Sequence, residues 1–146
     1  MPFTYDYPRP ALTVDAVVFR EHDGKHEVLL IKRKHYPFEG LWALPGGFVD
    51  MDETVEEAVA RELEEETGLR DVVLEQMHVF SAPGRDPRGR TVSVTFWGMR
   101  EFANSLVNGG DDAADAQWFQ MDKLPSLAFD HIEAVEMARK RLKIQK

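Results

Sequence analysis

Apolar and polar positions change period several times along the chain, and each change marks an element. Leu12 to Arg20 is rich in valine and alternates enough to predict a strand. Glu21-His22-Asp23-Gly24 supplies a turn, and Glu27 to Arg33 predicts a second strand around the apolar run Val28-Leu29-Leu30-Ile31. His35 to Gly47 reads as a loop, punctuated by Pro37, Gly40, Pro45, Gly46 and Gly47, with a short apolar piece at Leu41 to Leu44. Thr54 to Thr67 follows turn residues, contains strong helix formers and stops at Gly68, which predicts a helix. Strands are expected over Val72 to Ala82 and Thr91 to Phe102, joined by Pro83 to Arg90. Asn104 to Ala114 reads as a second loop and Gln117 to Gln120 as a short strand. Asp130 to Lys143 closes the chain as a helix, with Ile132, Val135, Ala138, Arg139 and Leu142 at helical spacing. Met1 to Ala11, with three prolines and three aromatics, reads as an extended arm. Mixed strands with two separated helices predict an α/β protein with its sheet sandwiched between helices, in one domain over residues 1–146.

Composition narrows the chemistry. A chain of 146 residues can bury an ordinary core, and 43% hydrophobic with 30% charged residues is the make-up of a globular protein rather than a disordered one. The absence of cysteine excludes disulfides, thiolate metal sites and cysteine nucleophiles, and fits a cytoplasmic location. No apolar run approaches the ~18 residues that span a bilayer, so no membrane partner is expected. A net charge of −8 argues against nucleic-acid backbone binding.

That charge is concentrated. From Asp52 to Glu66 eight acids meet only Arg61, which leaves −7 within fifteen residues. One reading is a solvated helix face, and the other is a site that needs a cation. At 100° per residue, Glu62, Glu65 and Glu66 fall within about 100° of one another. Val59, Ala60, Leu63 and Thr67 occupy the adjoining apolar sector, and Glu57 and Glu64 point away. Carboxylates at i, i+3 and i+4 repel and weaken a helix, whereas a hard divalent cation such as Mg²⁺ reverses the sign. Upstream, Pro45-Gly46-Gly47 would let backbone carbonyls approach the same ion closely.

The full spacing is Gly47-x5-Glu53-x7-Arg61-Glu62-Leu63-x-Glu65-Glu66-x-Gly68-Leu69. It resembles, at every fixed position, the signature box of the Nudix hydrolases. The flanks Leu29-Leu30-Ile31-Lys32-Arg33, Gly40 to Gly47 and Ala116-Gln117-Trp118-Phe119 are similar to that family as well. The resemblance implies an α/β/α sandwich with a mixed β-sheet and a loop–helix–loop box. It implies hydrolysis of a pyrophosphate bond in a nucleoside diphosphate linked to another moiety, with Mg²⁺ or Mn²⁺. Carried over, Glu62, Glu65 and Glu66 are metal ligands, any of which could instead orient or deprotonate water. Gly47 contributes a carbonyl, Arg61 holds the glutamates by pairing with Glu53, and Gly68 supports the helix end. A homodimer is also implied.

Substrate choice lies outside the box. Pro83, about fifteen residues past Gly68, and the run Arg85-Asp86-Pro87-Arg88-Gly89-Arg90 resemble the ADP-ribose pyrophosphatase branch. Arg85 and Arg88 are expected on phosphate or ribose-phosphate oxygens; a solvated hairpin loop is the alternative, for Arg90 above all. Arg33 is expected to reach the diphosphate and Trp42 to line the entrance, while His35 reads as an exposed loop residue. Trp97 and Trp118 read as packing, and Phe3, Tyr5 and Tyr7 as an aromatic stripe that packs or stacks on adenine. The resemblance also implies a late-loop carboxylate that completes the metal site or acts as general base: Asp111 or Asp112, after Asn108-Gly109-Gly110, is the candidate, with a turn or helix-capping role as the alternative, although many relatives place a glutamate in this loop. The competing functions are a nucleotide-sanitising triphosphate pyrophosphohydrolase and a non-catalytic ADP-ribose sensor. Only one helix follows the Trp118 strand, which leaves no expected winged helix and favours the enzyme.

Overall fold

The computed structural model describes residues 2–100 and 113–143. Its elements are β1 (Ala11–His22), β2 (Lys25–Arg33), β3 (Trp42–Ala43), β4 (Gly46–Phe48), α1 (Val55–Thr67), β5 (Glu75–Phe80), β6 (Thr91–Arg100), β7 (Ala113–Gln120) and α2 (His131–Arg141). The strands form one mixed sheet in which β3, β2, β1, β6 and β5 follow in order, β4 adds to β1 and β7 adds to β2.

The sheet splits, and the split places the site. β1 and β2 are joined by Asp23-Gly24, both at positive φ, the backbone twist that a two-residue hairpin favours. They pair only beside that turn, from His22↔Lys25 to Phe19↔Val28, and then part. Ile31 of β2 pairs with Ala116 of β7 on one edge and with Ala43 of β3 on the other. Val14 of β1 likewise pairs with Val94 of β6 on one edge and with Gly47 of β4 on the other. β3 and β4 therefore occupy the facing edges of the gap, joined across it by Leu44-Pro45.

Both faces of β1 are covered, so Thr13 to Phe19 are all buried. Val14, Ala16 and Val18 pack toward α1 with Ala58, Val59 and Leu63. Val17 and Phe19 pack toward α2 with Ala134, Val135 and Ala138. Burial on both faces is the reason β1 reads as a nearly continuous apolar run. The expected layering of helix, sheet and helix is observed.

Local chemistry sets the ends of α1. The Thr54 side chain accepts the Glu57 N–H, the Glu57 carboxylate accepts the Thr54 N–H, and Gly68 closes the helix in the left-handed region. Several expectations need correction. β4 arises inside the predicted Gly-rich loop, because the open edge of β1 at Thr13 to Asp15 accepts three residues that carry no strand pattern of their own. β5 is shorter than Val72 to Ala82, and β7 starts at Ala113 rather than Gln117. Ala60 is exposed and Ala58 is buried. α2 buries His131, Ala134, Val135 and Ala138, while Ile132 faces solvent. Among the described residues no helix is long and apolar enough to cross a membrane.

Candidate active site

A cleft of about 350 Å³ opens at the gap between β1 and β2. Glu62 and Glu66 of α1 meet Gly46 and Gly47 on one wall, and Arg33, Arg88, Phe48 and Phe129 line the approach. Glu66 is only 6% exposed, and its Oε1 accepts the Gly46 N–H at 2.7 Å. At Gly47 an added Cβ would lie 2.6 Å from Glu62 Oε1. The carboxylate and backbone thus approach more closely than any side chain at 47 would allow.

Arg61 organises the rest of this wall. Its Nε donates to Glu53 Oε2 at 3.0 Å and its Nη2 to Glu53 Oε1 at 2.6 Å, a two-pronged pair across eight residues. Nη1 reaches Glu62 at 2.9 Å and Glu65 at 3.2 Å, and Nη2 also reaches the Phe48 carbonyl at 3.2 Å. Hydrogen bonds from Arg61, then from the Asp50 N–H, bring the Glu53 pKa down to about 2. Glu53, followed by Glu62, raises the Arg61 pKa above the ordinary arginine value despite partial desolvation. Glu65 is the most open of the three box carboxylates, its side chain 48% exposed.

The donor set fits a hard divalent cation, since carboxylates and a backbone carbonyl are all oxygen ligands. The close approach at Gly47 leaves space that a side chain would fill. Among the described residues no three acidic or histidine side chains already stand together around an ion-sized point; Arg61 bridges Glu62 and Glu65 instead. Glu62, Glu65, Glu66 and the Gly47 carbonyl are the groups that would hold the ion.

The opposite wall is a closed polar ring. Arg85 Nε and Nη2 grip both oxygens of Asp130 at 2.8 and 2.7 Å, and Nη1 donates to Ser93 Oγ at 2.8 Å. Ser93 also hydrogen-bonds Thr13 and Asp15. Asp15 Oδ1 lies 3.6 Å from Nε2 of His131, the neighbour of Asp130. His131 Nδ1 accepts the Leu44 N–H at 3.0 Å. Burial raises the Asp15 pKa and lowers that of His131. Burial opposes the charges of Arg85 and Asp130, but their mutual pairing prevails, lifting Arg85 and lowering Asp130.

The residues expected at the substrate divide sharply. Arg33 lines the cleft, donates to the Pro37 carbonyl at 2.6 Å and lies over the Phe129 ring at 5.1 Å. Arg88 lines it too, paired with Asp86 and set over Phe48 at 4.9 Å and Phe129 at 5.6 Å. Arg85 borders the cleft with its side chain 5% exposed, but its guanidinium is committed to Asp130 and Ser93. The expectation that it contacts phosphate is therefore corrected. Trp42 is likewise not at the entrance: it packs edge-on to Phe119 in the α2-side core. His35 lines the cleft, whereas Arg90 turns back to the Ser81 carbonyl. Phe3, Tyr5 and Tyr7 are exposed, with Phe3 stacked on Tyr5 and Arg9 over Tyr5. Asp111 and Asp112 lie outside the described residues. Sequence reading missed Asp15, Ser93, Asp130 and His131; the one available signal was an acid in the middle of the valine-rich β1 run.

The NUDIX domain model matches residues 9–139. An ADP-ribose pyrophosphatase of Methanocaldococcus jannaschii is 48% identical over 130 residues, covering 89% of this chain and 73% of the relative. An ADPR responsive transcriptional repressor, NtrR, of Acinetobacter baylyi is 36% identical over 141 residues, covering 94% of this chain but only 56% of the relative. The NUDIX domain of Shewanella oneidensis NrtR, solved with ADP ribose, superposes with a TM-score of 0.88 at 37% identity and covers 94% of each chain. With Glu62 and Glu66 set against the Gly46-Gly47 turn at the mouth of a split sheet, the chain belongs to the NUDIX domain family and is a Nudix hydrolase.

Proposed function

We propose that the chain hydrolyses the diphosphate bond of ADP-ribose, or of a closely related nucleoside diphosphate sugar, into AMP and a sugar phosphate, with Mg²⁺ or Mn²⁺. One observation carries this reading. A single cleft joins a carboxylate wall built for a cation to an approach lined by Arg33, Arg88, Phe48 and Phe129, the charges and rings a nucleoside diphosphate needs. The 48% identity to a pyrophosphatase of that specificity supports the choice of substrate.

When bound, the cation supplies positive charge against the diphosphate oxygens and makes an attacking water more acidic. Glu62, Glu65, Glu66 and the Gly47 carbonyl would hold it. Arg61 ties α1 to Glu53 and to the Phe48 carbonyl, which keeps the helix fixed against the turn. Arg33 and Arg88 receive phosphate and ribose oxygens. The water oxygen bonds to one phosphorus, and the bridging P–O bond breaks. The bridging oxygen leaves on the other phosphate, and the water's proton passes to a carboxylate of the same wall.

The test is a substrate panel with product analysis by chromatography. AMP and ribose 5-phosphate should form from ADP-ribose only when Mg²⁺ or Mn²⁺ is present. Pyrophosphate released from nucleoside triphosphates, with ADP-ribose left intact, would move the protein to the nucleotide-sanitising reading. Tight binding of ADP-ribose without turnover would make it a ligand-sensing domain, a second reading that the identity to NtrR keeps in view.

A further inference from the structure

His131 is an imidazole where the pattern of α2 calls for an apolar side chain. It belongs to the stripe His131, Ala134, Val135 and Ala138 that faces the sheet, and it is 6% exposed. Its ring enters the gap between β1 and β2 and touches both sides. Nδ1 accepts the Leu44 N–H at 3.0 Å, and Nε2 lies 3.6 Å from Asp15 Oδ1. A nitrogen that accepts a hydrogen bond from an amide carries no proton, so this bond assigns the neutral tautomer with its proton on Nε2, toward Asp15. Nδ1 is thereby hydrogen-bonded, and Nε2 faces Asp15 just beyond hydrogen-bond distance.

The segment that His131 holds is the one on which the site depends. Leu44 lies between β3 and β4 and leads directly into Pro45-Gly46-Gly47. There the Pro45 carbonyl accepts the Ala16 N–H at 2.9 Å, the Gly46 N–H donates to Glu66, and Gly47 abuts Glu62. Asp15, which Nε2 faces at 3.6 Å, pairs with Gly46 across the β1–β4 ladder. The place of His131 is fixed by the clamp of Arg85 on Asp130 and by the Ser93 bonds to Arg85 and Asp15.

We propose that His131 is a positioning residue for hydrolysis. By tying Leu44 to α2, it fixes the path of the Gly46-Gly47 backbone against Glu62 and Glu66, so that these carboxylates receive the cation without rearranging. The inference rests on the reading of those glutamates as cation ligands. Outer partners that orient a metal's ligands typically govern affinity or activity by about ten- to hundredfold.

The experiment compares the wild-type protein with His131→Ala and His131→Asn. Asparagine places its Oδ1 where Nδ1 stood, which restores an acceptor for Leu44 without the Nε2–H. Three quantities are read: amide hydrogen exchange at Leu44, Mn²⁺ affinity from the electron paramagnetic resonance of free Mn²⁺, and kcat and KM for ADP-ribose. In His131→Ala, exchange at Leu44 should quicken relative to the β6 amides. Mn²⁺ affinity and kcat should each fall about ten- to hundredfold with KM little changed, and His131→Asn should recover most of both. By reciprocal linkage, saturating Mn²⁺ should slow exchange at Leu44 in the wild-type protein, a measurement that stands even if the alanine variant fails to fold. The positioning role is overturned if wild-type protein binds Mn²⁺ with no change at Leu44, if His131→Ala binds and turns over as well as wild type, or if asparagine restores Leu44 protection without restoring affinity. Wild-type protein that takes up no Mn²⁺ overturns instead the assignment of the glutamates, and this inference with it.

Discussion

On the α1 wall of the cleft Glu53, Glu62 and Glu65 gather around Arg61 and Glu66 accepts the Gly46 N–H; on the facing wall Asp15, Asp86 and Asp130 stand with Arg85, Arg88 and the neutral His131. The first group has four acids and one arginine, and only Glu65 among the acids is well exposed. The second, with three acids, two arginines and a histidine, is nearly balanced. Pairing marks the difference. A charge taken out of water must be paired and hydrogen-bonded or it is very costly, so the inner wall closes into a ring in which each ionised carboxylate has a partner. On the α1 wall one arginine serves Glu53, Glu62 and Glu65 together, which leaves the net negative charge that a cation would neutralise. One wall is therefore closed on itself, and the other keeps the charge that the proposed cation would meet.

That division can be broken from either side. The largest effect on stability is expected from Arg85→Ala. It strands Asp130 in a site where the arginine side chain is 5% exposed, and breaking such a pair costs about 3–5 kcal/mol, read as a lower urea midpoint. A variant as stable as wild type would show that the ring is dispensable. Glu66→Gln should act on chemistry rather than on folding: the amide can still accept the Gly46 N–H, but the charge is lost. Its Mg²⁺-dependent rate should fall about a hundredfold or more, with the midpoint within about 1 kcal/mol of wild type; full rate would remove the cation assignment. Gly47→Ala sharpens the contrast, because its Cβ falls on the movable end of Glu62. The fold should persist while Mn²⁺ affinity drops about tenfold, measured by titration. The smallest effect concerns acid stability. The folded-state pKa of Glu53 is about 2 against its usual 4.5, so the folded form holds its proton less readily. Its pairing with Arg61 contributes stability that is present above pH 4.5 and fades as pH falls toward about 2. Urea titrations at stepped pH should lose part of that slope in Glu53→Gln, and an unchanged slope would deny the link.

The α1 wall was legible in the sequence because all of its acids lie within one turn of a helix and one preceding turn. Spacing along 23 residues fixes their angles, and Thr54 and Gly68 fix the ends. The inner wall was not legible. Asp15, Arg85, Ser93 and Asp130-His131 come from two strands, a loop and a helix start, up to 116 residues apart, and no local period links them. Arg85 was expected on phosphate because its loop resembles that of the ADP-ribose pyrophosphatase branch and arginine suits phosphate oxygens; only the meeting of that loop with the start of α2 shows that Asp130 has taken it. Trp42 was misplaced for the same reason, since its burial against Phe119 depends on β7 lying beside β2.

By itself the sequence determined the helix and strand order, the capped carboxylate helix and its family, all of which follow from interactions between near neighbours in the chain. The tertiary structure alone decided where the sheet parts, which arginines remain facing the cleft, and that a histidine of the last helix braces the turn beneath the glutamates. Those outcomes depend on which distant groups meet out of water, and the desolvation cost that settles such pairings exists only once the chain has folded.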